Sequence, residues 1–117
     1  MTKIPVDSIE IPAWIVEVCS EWYNGSGDML YAVCSTGGLT LGNRRPLGAE
    51  NTEQWYYSIW CDFSVDIGYA ARSARAVANA YPDDLGYQEE ADKLETAEKW
   101  VDARLDELCA SYGLEDF

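Results

Sequence analysis

The spacing of apolar positions divides the chain into four helical stretches behind a short extended arm. In residues 1–11 the apolar positions Ile4, Val6, Ile9 and Ile11 alternate loosely, with Pro5 as a break. Such alternation predicts an extended arm lying on a core. Pro12 suits a first helical position. After it Trp14, Ile15, Val18, Cys19 and Trp22 share one helical face, with Glu17 and Glu21 on the other, which predicts a helix over 12–24. Asn24-Gly25 would close it, since both residues tolerate left-handed backbone. Asp28 is a good N-cap, and it opens a second helix over 28–36 built on Met29, Leu30, Tyr31, Ala32, Val33 and Cys34. That run is short, continuous and apolar, so a small hairpin through Gly37-Gly38 across 29–41 is the rival reading.

Asn51 followed by Gln54 has the form of a capping box and opens a third helix over 52–81. Trp55, Tyr56, Ile59, Trp60, Phe63 and Ile67 make its first half aromatic and bulky. Ala70, Ala71, Ala74, Ala76, Ala78 and Ala80 make its second half small, which predicts close approach of another helix there. Gly68 is about 1 kcal/mol less favourable than alanine in a helix and marks a kink or a close crossing. Pro82 ends the helix. A fourth helix over 87–112 follows from Tyr87, Ala91, Leu94, Val101, Leu105, Leu108 and Tyr112, whose steps of 3, 4 or 7 keep one face. Gly113 is its expected C-cap. The short turn Asp83-Asp84-Leu85-Gly86 predicts that the two long helices pack as an antiparallel hairpin. The expected fold is all-α: one four-helix domain over 1–117, with two short helices, two long ones and the N-terminal arm. Trp14, Val18, Trp22, Ile59, Phe63, Ile67, Leu94, Val101, Leu105 and Leu108 are the expected core.

Charge changes this picture most. The chain has 117 residues and a formal net charge of −13, yet 48% of its residues are hydrophobic, enough for a real core. Residues 82–117 hold twelve carboxylates against three cations, so this third alone carries −9. On the last helix Asp92, Glu95, Asp102 and Asp106 fall on one flank, with Lys99 among them. Lys93 and Arg104 lie on the other flank beside Trp100. Glu89–Lys93 and Glu95–Lys99 are i, i+4 pairs in the favourable order. Such a surface repels nucleic acid and anionic membranes and attracts basic surfaces. No apolar run approaches the ~20 residues of a membrane span. Residues 1–10 lack the apolar core of a secretory signal, so a cytoplasmic protein is expected.

The residue types restrict the chemistry. Histidine is absent, and G-x-S-x-G, S-x-x-K and the phosphate-binding glycine patterns are all missing. Cys19, Cys34, Cys61 and Cys109 are scattered without C-x-x-C, so reduced buried thiols are expected, with two disulfides as the alternative. No metal and no cofactor are expected. Asp62 and Asp66 share a face at i, i+4 and could hold a ligand or do acid–base work. They could equally face solvent or meet the adjacent Arg44-Arg45 of the glycine-containing stretch 39–50. Glu98, on the apolar line of the last helix, is expected to reach an edge or pair with Arg72 or Arg75. The cluster Trp55-Tyr56-Tyr57-Ile59-Trp60 covers more than one helical face, so Trp55, Tyr56 and Trp60 are read either as core or as anchors for a partner.

In size, charge and lack of catalytic motifs, the chain resembles the small acidic DNA-mimic inhibitors of bacteriophages and mobile elements, such as anti-restriction and anti-CRISPR proteins. Carboxylates three to seven residues apart on a helix lie roughly 5–10 Å apart along the axis, comparable to successive phosphates. The resemblance implies a non-enzymatic protein that occupies a basic, nucleic-acid-binding surface of another protein and binds no nucleic acid itself. Its expected contact residues are Asp92, Glu95, Asp102, Asp106, Trp55, Tyr56, Trp60 and Trp100. The alternative is a helical module that associates with itself as a homodimer through Trp55, Tyr56 and Trp60. A small enzyme or ligand binder using Asp62 and Asp66 ranks third.

Overall fold

The computed structural model describes residues 3–23, 25, 27–41 and 51–114. It contains four helices in chain order: α1 (Ala13–Trp22), α2 (Asp28–Thr36), α3 (Thr52–Ala80) and α4 (Leu85–Tyr112). No strand occurs among the described residues, so the hairpin reading of 29–41 gives way to a helix that stops at Gly37. The stretch holding Arg44-Arg45 lies outside the described residues.

Each helix end has a local cause. The Asn51 side chain accepts from the Gln54 amide at 2.9 Å, which starts α3. Asp84 accepts from the amides of Gly86 and Tyr87 at 3.0 and 3.2 Å, so α4 begins two residues earlier than the pattern predicts. Gly86, read from sequence as part of the turn, sits in the first helical turn. Gly37 and Gly113 end α2 and α4 in left-handed backbone, at φ 78° and 67°. α1 differs from expectation: Pro12 is its N-cap rather than its first helical residue. The helix ends at Trp22, with Tyr23 already extended.

α3 and α4 form the predicted antiparallel hairpin, and theirs is the most extensive helix contact. The molecule measures 48 × 25 × 24 Å. At 1.5 Å per residue, the 28 and 29 residues of these helices account for most of the long dimension. α1 and α2 pack on each other and across the hairpin. Ala70, Ala71, Ala74 and Ala78 face Ala91, Leu94 and Ala97 in the buried seam, which is how the small half of α3 admits α4. The Glu98 side chain occupies the space over Gly68: a Cβ there would lie 2.7 Å from the Glu98 Oε2 atom.

The arm is pinned to the hairpin's open end. The Ile4 amide donates to Ser111 Oγ at 2.8 Å, and the Tyr112 hydroxyl donates to the Ile4 carbonyl at 2.7 Å. Further on, the Ile9 amide donates to the Tyr56 hydroxyl at 3.0 Å. Tyr56 and Tyr112 thus keep their rings in the core and spend their polar tips on the arm.

Val18, Ile59, Phe63, Ile67, Leu94, Val101 and Leu108 are buried as expected. Three expected core residues are not. Trp14 is 42% exposed, and Trp22 and Leu105 are half-buried. Periodicity places these residues on the apolar face of their helix but does not say how far the neighbouring helix extends over it. The Leu108→Ala change should therefore cost about 2–5 kcal/mol, and Leu105→Ala only about 1–2 kcal/mol. Urea unfolding of the two variants checks this. Equal losses would mean that α4 is rotated from the orientation seen here.

Candidate functional site

The expected contact residues separate into two groups. Tyr56 and Trp60 are completely buried, so they belong to the core and cannot anchor a partner. Trp60 meets Tyr56 and Phe63 edge-on, with ring centroids 6.3 and 6.1 Å away, and Trp100 of α4 at 6.0 Å. Trp55 and Trp100 are half-buried against the same core. The Arg104 guanidinium covers the Trp100 ring at 5.1 Å and also pairs with Glu107 at 2.8 Å. The homodimer reading therefore loses two of its three anchors.

The acidic flank lies on the surface, but it is tied to α3 in a way the sequence did not suggest. Arg75 forks across to α4, donating to both oxygens of Glu95 at 2.9 and 2.8 Å and to Asp92. These hydrogen bonds hold the Glu95 carboxyl below the usual carboxylate range and push Arg75 further up. Asp102 accepts from the Ser64 hydroxyl at 2.7 Å. Glu95 thus turns to an arginine on the next helix, with Lys99 only a weaker neighbour. Of the two outcomes expected for Glu98, an edge position or an ion pair, no pair with Arg72 or Arg75 forms among the described residues: Glu98 lies half-buried over Gly68, while Arg72 stacks on the Tyr69 ring at 4.9 Å. Asp92, Asp102 and Asp106 keep exposed faces, as do Asp83, Asp84, Glu89 and Glu107 on and beside α4.

Asp66 has a structural task. Its Oδ2 accepts from the amides of Met29 and Leu30 at 2.9 and 3.4 Å. It caps α2 from α3, because the N-cap residue Gly27 has no side chain to do so. A groove of about 210 Å³ beside it is walled by Trp22, Leu30, Tyr69 and Ala70. Its carboxylate is already engaged by the helix, which weakens the ligand-binder reading. Among the described residues no group of three or more carboxylates or thiols is placed to hold a metal. Among the described residues no helix is long and apolar enough to cross a membrane.

The four cysteines are free thiols. Burial pushes the Cys19 thiol up to about 12, and the nearby Cys34 adds to the effect. Burial also raises Cys61. Tyr57, pushed up to about 12, sits against Cys61 and Cys109 in the α3–α4 seam. Thiols held this far above neutral pH are poor nucleophiles. Cys19 should therefore resist an aromatic disulfide reagent in the native protein and react at once in denaturant. Its raised value also has a consequence for stability. The folded state keeps the proton where the unfolded chain has lost it, so stability is full below the ordinary thiol value. It should fall as pH rises from about 9 towards 12. A urea midpoint that held constant across that range would contradict the burial of Cys19.

No protein family, no curated protein and no solved structure matches the chain.

Proposed function

We propose that this protein is a non-enzymatic inhibitor or regulator that occupies a basic, nucleic-acid-binding surface of another protein, as DNA mimics of the anti-restriction and anti-CRISPR type do. The observation that supports this reading is the run of exposed carboxylates along one rigid helix, from Asp83 before α4 to Glu107 near its end. The one cation that reaches this flank from α3, Arg75, is already committed to Asp92 and Glu95, so it holds the flank in place and leaves its excess negative charge outward. A preformed negative track of this kind speeds encounter with a basic site and needs little reordering on binding.

The test keeps the Arg75 pairs intact, because neutralising Asp92 and Glu95 would leave a guanidinium without its partners. Glu89→Gln, Asp102→Asn and Asp106→Asn are combined instead, and the variant is compared with the wild type in capture from bacterial lysate. The proteins captured by the wild type should be released by excess duplex DNA, and the variant should capture them more slowly and with a weaker salt dependence. Capture that ignored both DNA and the three substitutions would refute the reading.

A further inference from the structure

Tyr69 is an aromatic residue that the core does not use. Its neighbours Ile67, Ala70 and Ala71 are buried, yet Tyr69 is 63% exposed. Its ring lines the groove of about 210 Å³ beside Asp66, together with the half-buried Trp22 of α1 and the buried Leu30 and Ala70. Asp66 and Ser73 add a carboxylate and a hydroxyl to the lining. The Asp66 carboxylate is fixed in place by the α2 amides, and a carboxylate has acceptor sites for more than two hydrogen bonds.

Size, charge and stacking together define an occupant. Pockets for drug-sized ligands run to roughly 300–1,000 Å³, so this smaller groove suits one side chain rather than a cofactor. Its lining holds a carboxylate and, among the described residues, no cation, on a chain of net charge −13, so it favours a cation over an anion. Tryptophan and tyrosine rings attract a cation over their faces. The protein uses this contact itself: the Arg72 guanidinium lies 4.9 Å from the Tyr69 ring centroid, and that of Arg104 lies 5.1 Å from Trp100. At about 100° per residue, Arg72 falls on one side of Tyr69 around α3, and Asp66, Ala70 and Ser73 fall on the other. Arg72 accordingly leaves the groove side of Tyr69 to an incoming group.

We propose that this groove is a socket for an arginine side chain of a partner protein, with the guanidinium stacked on Trp22 and Tyr69 and its charge opposite Asp66. A guanidinium fits better than an ammonium because it is planar, more weakly hydrated and stacks on aromatic faces. The source of the arginine rests on the reading of a basic partner given above; the socket itself does not involve α4. Asp66 and Ser73 lie roughly opposite Ser64 and Arg75, the α3 residues that reach the acidic flank, so the two features can be tested apart.

The test uses small probes at about 0.15 M salt, which screens loose attraction to the acidic surface. Butylguanidinium should shift the Trp22 indole and Gly27 amide N–H resonances and bind about tenfold more tightly than butylammonium. Butylurea, planar but uncharged, should leave both resonances unmoved. Tyr69→Ala removes a wall and Ser73→Phe fills the space; both positions are exposed, so each should weaken binding about tenfold with no change in the thermal midpoint. A capped tripeptide with arginine at its centre should bind as tightly as butylguanidinium. A tripeptide that failed where butylguanidinium bound would make a free guanidine the ligand and overturn its arrival on a partner. An equal response to butylurea or butylammonium, or full binding by both variants, would overturn the socket and leave the basic-partner reading in place, because that reading depends on α4.

Discussion

Replacing Trp60 with alanine should remove about 3–5 kcal/mol of stability, the largest loss expected from any single change in this protein. Trp60 has no exposed surface. Its ring is held between Tyr56 and Phe63 on its own helix and Trp100 on the facing one. Removing it takes away the apolar area of the largest side chain and leaves a cavity that rigid helices cannot close. It also removes three aromatic contacts, each worth roughly 0.5–1.5 kcal/mol beyond burial. The indole N–H lies near the Tyr56 hydroxyl but outside hydrogen-bond geometry, so it gains little from its position. Trp60→Phe should accordingly be much milder than Trp60→Ala, because it keeps most of the ring and drops an unsatisfied donor. Urea unfolding followed by circular dichroism separates the two. A loss below about 1 kcal/mol for Trp60→Ala would mean that the α3–α4 seam is not packed around this ring. The comparison matters for function too: a partner-facing tryptophan would lose binding with its fold intact, whereas Trp60→Ala should lose both together.

Asp66→Ala should release the start of α2 and cost about 1–2 kcal/mol. α2 has nine residues, too few to persist alone in water. Its N-cap is a glycine at φ 98°, and the amides of Met29 and Leu30 depend on Asp66 of α3. The carboxylate also lies at the positive end of the helix dipole. Asp66→Asn keeps an acceptor and loses the charge, so it should cost less, and the difference isolates the dipole contribution. Gly27 is constrained by the same contact: a Cβ there would meet Asp66 Oδ2 at 3.2 Å, on backbone that already disfavours a side chain. Hydrogen exchange across residues 29–36 gives the direct readout. Protection that survived Asp66→Ala would show that α2 is held by packing alone. Asp66 is thus a structural group, so its place in the pair Asp62 and Asp66, read from sequence as a possible site, does not need a ligand to explain it.

Two features of the surface would have been hard to find from the pattern of residues. Tyr81 and Tyr87 flank a turn, where apolar residues look like the ragged ends of helical faces; only their exposure and ring contact set them apart. Arg75 lies on α3 without an i, i+4 acid to claim it, and its partners Asp92 and Glu95 are 17 and 20 residues away. The i, i+4 rule favours Lys99 for Glu95 because it describes isolated helices. In a hairpin the facing helix offers a bidentate guanidinium, and that stronger geometry wins.

The amino-acid sequence by itself determined α1, α3, α4 and the hairpin of the long pair, and left residues 29–41 open between a helix and a small hairpin. Those features depend on signals that act within a few residues: apolar spacing, the caps at Asn51, Gly37 and Gly113, and the stop at Pro82. It also determined the net charge and where along the chain that charge lies. Tertiary structure alone decided which tryptophans are core, because Trp14 and Trp60 both lie on apolar faces and only the position of the neighbouring helix buries one and leaves the other open. It decided likewise that Asp66 caps α2, that Arg75 braces the acidic flank, and that the hairpin tip stands free. Each of these depends on groups brought together by packing across the chain, and no local spacing carries that information.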